Sequence, residues 1–222
     1  MIEFQVVGYA DGAAEILRDV SFAVSPGELC VLVGDPGSGK TTILRLCLGE
    51  IAPTSGSVLA FGAPVPAGNR AAVARLRRRL GLIDRDPRFL DHASVRDNAA
   101  APLVAAGVMP EERARDIDDL LAWTGLTAAA DARPSALDAA GRRRLALARA
   151  VAGGADVILA DEPTAGLSPE DGQALVRFLI DLSGMNRAVL VATADPETAA
   201  ALAPAGRTSF VRLAAGAAEP VA

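Results

Sequence analysis

The sequence has few of the residues on which secreted and membrane-spanning proteins depend. Its 222 residues include only two cysteines and one histidine, and aromatic residues make up 4%. Cys30 and Cys47 lie in apolar segments, which predicts a reducing compartment and no disulfide framework. No apolar run reaches the roughly 18 residues of a transmembrane helix, and the N-terminus does not resemble a signal peptide. We therefore expect a soluble chain that reaches a membrane only through a partner.

Positive charge is outnumbered, with 22 lysines and arginines against 27 aspartates and glutamates. The net charge is −5, so no broad attraction to nucleic acid is expected and no nucleic-acid partner is predicted. Arginines do cluster at 75–79, where a helical spacing favours a solvated helix face. The length suits one α/β domain with a small inserted lobe.

The segment Gly34–Thr41 fits the pattern G-x-x-x-x-G-K-[ST], a phosphate-binding loop known as Walker A. Its glycines let backbone N–H groups turn inward around phosphate oxygens. Lys40 is expected to reach the β- and γ-phosphates, and the Thr41 hydroxyl to bind Mg²⁺. An apolar strand precedes the loop and a helix follows it, with the positive helix end directed at the anion. The predicted nucleotide-binding residues here are Gly34, Asp35, Pro36, Gly37, Ser38, Gly39, Lys40, Thr41 and Thr42.

A second buried strand, at 156–160, ends in the adjacent carboxylates Asp161 and Glu162. Such a pair is costly at the end of a buried strand unless it has a counter-ion or a function. A phosphate loop followed by an apolar strand ending in Asp forms the Walker A and Walker B pair. Asp161 is then predicted to hold Mg²⁺ and Glu162 to polarise the attacking water. The alternative is that both residues only cap the strand end.

The apolar periodicity predicts an α/β core, residues 1–85 and 150–213, with a helical lobe inserted at about 86–149. Strands at 2–7 and 20–24 are expected to pair across a turn at 9–12. Tyr9, in that turn, either packs in the hairpin or stacks on an adenine ring. The Ala- and Gly-rich end, 214–222, is expected to be frayed.

With both motifs placed, the chain resembles an ABC-type ATPase over nearly its whole length. Residues 78–98 follow that family's Q-loop region, 161–167 its Walker B and D-loop, and 144–150 the segment after its signature motif. Within the family the chain is most similar to the FtsE type, which acts in bacterial cell division with the membrane protein FtsX. The resemblance implies one nucleotide-binding domain over 1–222, of P-loop NTPase fold, with an N-terminal antiparallel β subdomain and an α-helical lobe.

The resemblance also implies ligands and partners. They are ATP and Mg²⁺, a second ATP-binding subunit in a homodimer or heterodimer, and an integral membrane protein that is FtsX-like or a permease. The chain would then lie in the cytoplasm, peripheral on the inner face of the cell membrane. Phe89, Leu90 and Val95 are candidates for the docking surface or, equally, for the core of the lobe.

Four elements depart from the family pattern, three of them at single positions. Arg85 stands at the Q-loop Gln, Ala194 at the switch His, and Ser168 at the D-loop Asp. The segment 137–141 reads Leu-Asp-Ala-Ala-Gly where the family has Leu-Ser-Gly-Gly-Glu. We expect Arg85 to contact the nucleotide nonetheless, ATP to bind, and hydrolysis to be slow. The alternatives are a pseudo-ATPase scaffold that signals by binding alone and the ATPase subunit of a transporter.

Overall fold

The computed structural model describes residues 1–109, 113–214 and 216–221. The strands are β1 (Ile2–Asp11), β2 (Ala14–Val24), β3 (Leu29–Val33), β4 (Ser55–Ala60), β5 (Ala63–Pro64), β6 (Leu80–Ile83), β7 (Val157–Asp161), β8 (Ala188–Thr193), β9 (Thr208–Ala214) and β10 (Ala217–Val221). The helices are α1 (Lys40–Cys47), α2 (Arg70–Arg77), α3 (Val95–Ala105), α4 (Ala114–Trp123), α5 (Ala139–Ala152), α6 (Pro169–Gly184) and α7 (Pro196–Leu202). Short 3₁₀ turns lie at Thr127–Ala129 and Pro134–Ala136.

The strands form one sheet in the order β5-β4-β1-β2-β10-β9-β3-β8-β7-β6. The strands β9, β3, β8, β7 and β6 run parallel to their neighbours in that order. The strands β5, β4, β1 and β2 pair antiparallel. This arrangement confirms the predicted α/β class with an N-terminal antiparallel β subdomain.

The parallel half of the sheet is covered on both faces, which explains its continuous apolar strands. Every residue of β8 is buried, as are the first four residues of β3 and of β7. One apolar cluster joins one face of these strands to α1, and another joins the opposite face to α5, α6 and α7. The sheet therefore lies between two helical layers, as in other parallel α/β folds.

The inserted lobe has an apolar cluster of its own, built from α3, α4 and the outer side of α5. Ser94 caps α3 and forms a reciprocal capping box with Asp97. Val95 is fully buried in that cluster and Phe89 packs against it, so both belong to the core of the lobe. Leu90 is 47% exposed. The apolar periodicity predicts a lobe helix over 111–123; the structure has α4 at Ala114–Trp123, and 111–112 lie outside the described residues.

Two expectations about the chain's edges were wrong. The C-terminal segment is not frayed at 217–221, because β10 pairs antiparallel with β9 and parallel with β2. It thereby joins the two halves of the sheet and covers strand edges that would otherwise lack partners. The turn predicted at 9–12 is shorter, because β1 continues to Asp11 and Tyr9 pairs with Leu17 within the sheet. Among the described residues, no helix is both long and apolar enough to cross a bilayer.

Candidate nucleotide-binding site

The carboxyl ends of the parallel strands meet at one edge of the sheet, where α/β proteins bind ligands. The phosphate loop follows β3, Arg85 follows β6, and Asp161 ends β7. Ala194 follows β8. These elements surround a cavity of about 700 Å³, and a neighbouring cavity of about 750 Å³ continues along the other side of the loop. The sequence-distant motifs are thus brought together in space.

The loop's backbone is shaped by glycine. Gly39 has a φ of 100°, in the left-handed region that favours glycine. A Cβ atom there would lie 2.6 Å from Leu17 Cδ2. Helix α1 begins directly after Gly39, has no side-chain cap, and carries no acidic residue in its first turn. Its N-terminal N–H groups and its positive dipole end are therefore free to meet an anion.

Lys40 is oriented by the loop itself. Its side chain is 5% exposed, and Nζ donates to Gly34 O at 2.6 Å and to Asp35 O at 2.9 Å. These bonds use two of the three donors of the ammonium group. Ser38 Oγ is buried and has no hydrogen-bond partner among the described residues. A free ammonium donor and an unpartnered hydroxyl in a glycine-rich cradle fit the oxygens of a bound phosphate.

The residues predicted to hold Mg²⁺ are in contact across the cavity. Thr41 Oγ1 donates to Asp161 Oδ2 at 2.9 Å. Burial raises the pKa of Asp161, and the hydrogen bond from Thr41 partly opposes that rise. Among the described residues, no group of three or more His, Cys, Asp or Glu side chains could hold a metal by itself. A hydroxyl and one carboxylate fit Mg²⁺, which commonly takes few protein ligands and completes its shell with phosphate and water.

Glu162 adopts a φ of 43°, a left-handed conformation that is uncommon outside glycine. Such conformations cluster at functional sites, where surrounding contacts hold them. Both carboxylate oxygens of Glu162 are engaged by the end of β8. Thr193 Oγ1 donates to Oε2 at 3.2 Å, and the Ala194 N–H donates to Oε1 at 2.8 Å. The carboxylate is therefore held against the loop after β8.

The segment at 137–141 forms the start of α5. Asp138 is its N-cap, and Oδ1 accepts from the Gly141 N–H at 2.7 Å. The carboxylate thus occupies the positive end of this helix. Ser168 has the ordinary role expected of a helix cap, since its hydroxyl accepts from the Asp171 N–H at 3.2 Å at the start of α6.

Nearly all the predicted site residues line one of the two cavities. Those around the first cavity are Pro36, Gly37, Gly39, Lys40, Thr41, Thr42, Arg85, Asp161 and Glu162, and Gly34, Asp35 and Ser38 line the second. Tyr9 lines neither cavity; it is half-buried and packs against the main core. The first cavity is lined instead by an aliphatic side chain of β2, that of Ile16.

Sequence reasoning missed several lining residues, namely Ile16, Ala165, Asp195, Pro196 and Arg212. Ile16 and Arg212 lie on strands that carry no recognisable motif, so only the sheet order brings them to the loop. Asp195 and Pro196 read in sequence as the cap and first residue of a helix, and that is also what they form. The signal available for them was the buried apolar strand that ends just before them, because ligands of parallel α/β sheets bind at the carboxyl ends of the strands.

A phosphate loop joined to an acidic strand end on a parallel sheet defines a P-loop nucleotide-binding protein. The family model for the ABC transporter ATP-binding domain matches residues 17–165. The chain therefore belongs to the ABC transporter ATPase family, whose members bind ATP with Mg²⁺.

Curated relatives are transporter ATPases. A methionine import ATP-binding protein, MetN 2 of Burkholderia mallei, is 36% identical over 82% of this chain and 47% of its own length. The macrolide export ATP-binding/permease protein MacB of Acinetobacter baylyi is 36% identical over 85% of this chain and 29% of its own length. This chain thus spans about half of the first relative and less of the second. These relatives do not support the expected similarity to the FtsE type.

Solved structures agree on the fold. A dimeric ATP-binding cassette, MJ0796, in a post-hydrolysis state bound to ADP and phosphate, superposes with a TM-score of 0.86 at 26% identity. The alignment covers 99% of this chain and 97% of that one. The cassette cbiO1 from Clostridium perfringens has the same TM-score at 22% identity, which supports the fold alone.

Proposed function

We propose that this chain is the ATP-binding component of a membrane-associated complex, and that it binds Mg-ATP tightly but hydrolyses it slowly. The observation that carries the binding half is the open start of α1. Lys40 lines the first cavity there, and Ser38, whose buried hydroxyl has no hydrogen-bond partner among the described residues, lines the neighbouring one. A nucleoside triphosphate supplies the phosphate oxygens that these groups lack. The predicted adenine contact of Tyr9 stays a prediction, and Ile16 offers an apolar surface on that side.

Mg²⁺ would be held by Thr41 and Asp161, which already contact each other at 2.9 Å. When bound, the ion neutralises phosphate charge and orients the terminal phosphate. The protein's own part is to direct the Asp161 carboxylate at the Thr41 hydroxyl, whose hydrogen bond favours the ionised form against the effect of burial. The raised pKa of Asp161 makes that form sensitive to acid.

Slow hydrolysis follows from what surrounds Glu162. The proposed role of Glu162 is to accept a proton from the attacking water. Its oxygens are instead engaged by Thr193 and by the backbone of Ala194, which has no imidazole to donate to the γ-phosphate. Removal of a preorganised donor to the transition state typically slows a reaction about 10²–10³-fold.

The Asp138 cap at the start of α5 should weaken the nucleotide site that two subunits form together. In ABC ATPases, as the resemblance implies, the signature segment of one subunit contacts the γ-phosphate held by the other. In this chain the Asp138 carboxylate occupies that helix end. Two like charges 4 Å apart cost about 4 kcal/mol at an effective dielectric of 20. A homodimer closed over ATP is therefore expected to be weak, and a regular subunit in a heterodimer would face the same carboxylate.

The membrane partner is proposed to dock beside the 84–89 segment. A groove of about 530 Å³ lies between α2, β6, α3 and α5, with an apolar floor from β6 and α3. Its rim carries Arg77, Arg78, Arg88 and Arg149, and among the described residues Asp84 is the one acidic side chain that lines it. Four guanidinium groups around an apolar floor suit an amphipathic segment with acidic residues. Arg78→Glu should weaken capture of the partner, while Arg177→Glu on α6, outside the groove, should not.

Two identities of that partner remain in competition. A division-type complex predicts an FtsX-like neighbour with a large extracytoplasmic domain, as the sequence resemblance suggests. A transporter predicts a permease, which MacB of A. baylyi carries in its own chain according to its name. The adjacent reading frame distinguishes them. In either complex the chain would be cytoplasmic and peripheral on the inner face of the membrane.

The decisive experiment measures ATP binding and turnover on the same preparation. We expect Mg-ATP binding that Lys40→Met weakens about 100-fold or more. Turnover should be at least about 100-fold below that of a regular ABC ATPase assayed in parallel. The double variant Asp138→Ser/Ala194→His should raise turnover, because it removes the carboxylate and supplies the missing donor. Ordinary turnover in the unmodified chain, abolished by Glu162→Gln, would contradict slow hydrolysis. Binding without any turnover would favour the pseudo-ATPase scaffold.

A further inference from the structure

Three guanidinium groups of α5 each donate to a different backbone carbonyl of the segment 84–89, which we call the 84–89 loop. The bonds run from Arg143 Nη1 to Asp84 O at 2.8 Å, from Arg142 Nη2 to Pro87 O at 3.3 Å, and from Arg149 Nη1 to Arg88 O at 2.5 Å. Hydrogen bonds from charged donors are about twice as strong as neutral ones. One face of α5 therefore fastens this loop at three points.

The end of the same loop is held by its aromatic residue. The guanidinium carbons of Arg142 and Arg149 lie 5.1 Å and 4.9 Å from the centre of the Phe89 ring. Both distances are within the range of cation–π attraction. Phe89 also packs against the cores of the sheet and of the lobe. The loop is thus anchored through its side chain as well as its backbone.

Arg143 is the most buried of the three arginines. It is 8% exposed, and among the described residues it forms no ion pair. Within the part of the chain that the structure describes, its buried Nε has no hydrogen-bond partner. Burial of a guanidinium that forms no ion pair is costly, and it lowers the pKa of Arg143 even though the charges of Asp84 and Asp86 favour the protonated form. Among the described residues, Arg143 donates a hydrogen bond to Asp84 O. We therefore take the role of this buried side chain to be holding the 84–89 loop.

The loop separates two cavities. Arg85 lines the nucleotide cavity with Lys40 and Asp161, whereas Asp84 and Arg88 line the groove on the other side. Arg85 is itself exposed, and its position depends on the backbone on either side of it. That backbone is held at 84, immediately before it, and at 87 and 88, shortly after it.

We propose that Arg143, assisted by Arg142 and Arg149, is a positioning residue that holds the 84–89 loop so that Arg85 meets the terminal phosphate of ATP. This inference rests on the proposed binding of Mg-ATP. The additional positive charge of Arg85 favours the ligand with the additional phosphate, so ATP is preferred over ADP. If the loop is released, Arg85 is no longer held near the phosphate site. The preference for ATP then falls, because binding must supply the entropic cost of ordering the loop.

The test compares Arg143→Met with Arg144→Met in the full chain. Methionine retains a long apolar side chain and removes the donors. Arg144 is a matched control because it is the next residue of α5. Among the described residues its buried Nε also has no partner, and no hydrogen bond joins it to the loop. Calorimetric titration with ATP and with ADP, each with Mg²⁺, gives the preference. Arg143→Met should lower it about tenfold, and Arg144→Met should leave it unchanged.

A double-mutant cycle shows whether Arg143 acts through Arg85. Arg85→Ala alone should lower the preference for ATP, and adding Arg143→Met should lower it no further. Additive losses would overturn the proposal, as would full preference in Arg143→Met. If Arg85→Ala leaves the preference intact, the loop has no charge to position and the proposal fails, although ATP binding stands. Should Arg143→Met fail to fold, the less buried Arg142→Met takes its place in the same cycle.

Hydrogen exchange of the free protein separates this inference from the proposed function. Backbone amides within 84–90 should exchange faster in Arg143→Met than in the unmodified chain, with Arg144→Met unaltered. Unchanged exchange in a protein that binds ATP would overturn the loop anchoring alone. Faster exchange in a protein that binds no ATP would support the anchoring and defeat the proposed function on which its consequence depends.

Discussion

Two helix N-termini of this molecule have opposite chemistry. Helix α1 begins at Lys40 with no side-chain cap and no acid in its first turn, so its positive end is open. Helix α5 begins after Asp138, whose carboxylate accepts from the Gly141 N–H at 2.7 Å. Both ends can attract an anion through the same dipole and free N–H groups. One is left available to a ligand, and the other is occupied by the chain's own carboxylate.

The difference separates nucleotide binding from nucleotide clamping. The open end, with its glycine loop, is built from local sequence and needs no second subunit. The occupied end is the one that, by the family resemblance, meets the γ-phosphate of a partner subunit. A chain can therefore retain full binding while closing poorly over what it binds. The following predictions test that separation.

The largest effect is expected at the open end. Lys40→Met removes the ammonium held by Gly34 O and Asp35 O and should lower ATP affinity about 100-fold or more, because charge-assisted bonds to phosphate are lost. Equilibrium dialysis with labelled ATP measures it. Arg45→Met is the control, since it removes an exposed positive charge from the same helix. Similar affinities for both variants would mean that net charge, rather than the loop, binds the nucleotide.

A smaller effect, of opposite sign, is expected at the occupied end. Asp138→Ser keeps a helix cap and removes the charge, so Mg-ATP-dependent self-association should tighten about tenfold. This is less than the full repulsion at 4 Å implies, because Asp138 is exposed and partly screened. Sedimentation in a Glu162→Gln background, where ATP persists, gives the constant.

Asp131→Ser is the matched control for that experiment, since Asp131 is an exposed carboxylate of the same lobe. It should leave self-association unchanged. Equal tightening in the two variants would assign the effect to the net charge of the lobe and would remove the contrast between α1 and α5.

The contrast also marks what the sequence could predict. Gly34–Thr41 and Asp161 were predictable because a local backbone shape and a buried strand end determine them. The contact of Thr41 with Asp161 follows from the parallel order of β3, β8 and β7. Ile16 and Arg212 were not predictable, because their places depend on how distant strands join. The pairing of β10 was hidden for the same reason, since its sequence, Ala-Ala-Glu-Pro-Val, has no strand signal of its own.

The magnesium half of the open site should be sensitive to acid. Burial raises the pKa of Asp161 above the ordinary 3.8 of an aspartate, so its carboxylate takes up a proton at a higher pH than an exposed one. Since Mg²⁺ requires the ionised form, the gain in ATP affinity on adding Mg²⁺ should decline at a higher pH than an ordinary aspartate gives.

Titrations with and without Mg²⁺ across the acid range measure that gain. In Asp161→Asn it should be small and should no longer change with pH in this range. Folding stability should depend on pH in the opposite direction. A carboxyl whose pKa is raised by folding destabilises the folded state when it is ionised, and this effect fades as pH falls. Asp161→Asn should therefore increase the free energy of unfolding at neutral pH. Undiminished magnesium dependence in that variant would place the ion elsewhere.

The smallest effect concerns a third helix start, that of α7, at the rim of the same cavity. Asp195 accepts from the N–H groups of Glu197 and Thr198, each at 3.1 Å, and from the Thr198 hydroxyl at 2.5 Å. Asp195→Ala should therefore lower the free energy of unfolding by about 1 kcal/mol at neutral pH. The Thr198 hydrogen bond is the main cause of the lowered pKa of Asp195.

A lowered carboxyl pKa contributes stability above the ordinary value of 3.8 and loses it as pH falls through the lower folded value. Urea denaturation of Asp195→Ala at neutral and at strongly acid pH should thus show a loss of stability that shrinks with acid. Asp195→Asn retains an oxygen acceptor and should show little loss at either pH.

Because Asp195 lines the nucleotide cavity, its carboxylate also tests whether a carboxylate at a helix start repels phosphate, as proposed for Asp138. Asp195→Ala could raise ATP affinity by as large a factor as Asp138→Ser raises self-association. In that case a carboxylate at any helix start near the nucleotide would repel phosphate. The contrast between α1 and α5 would then be one of charge alone.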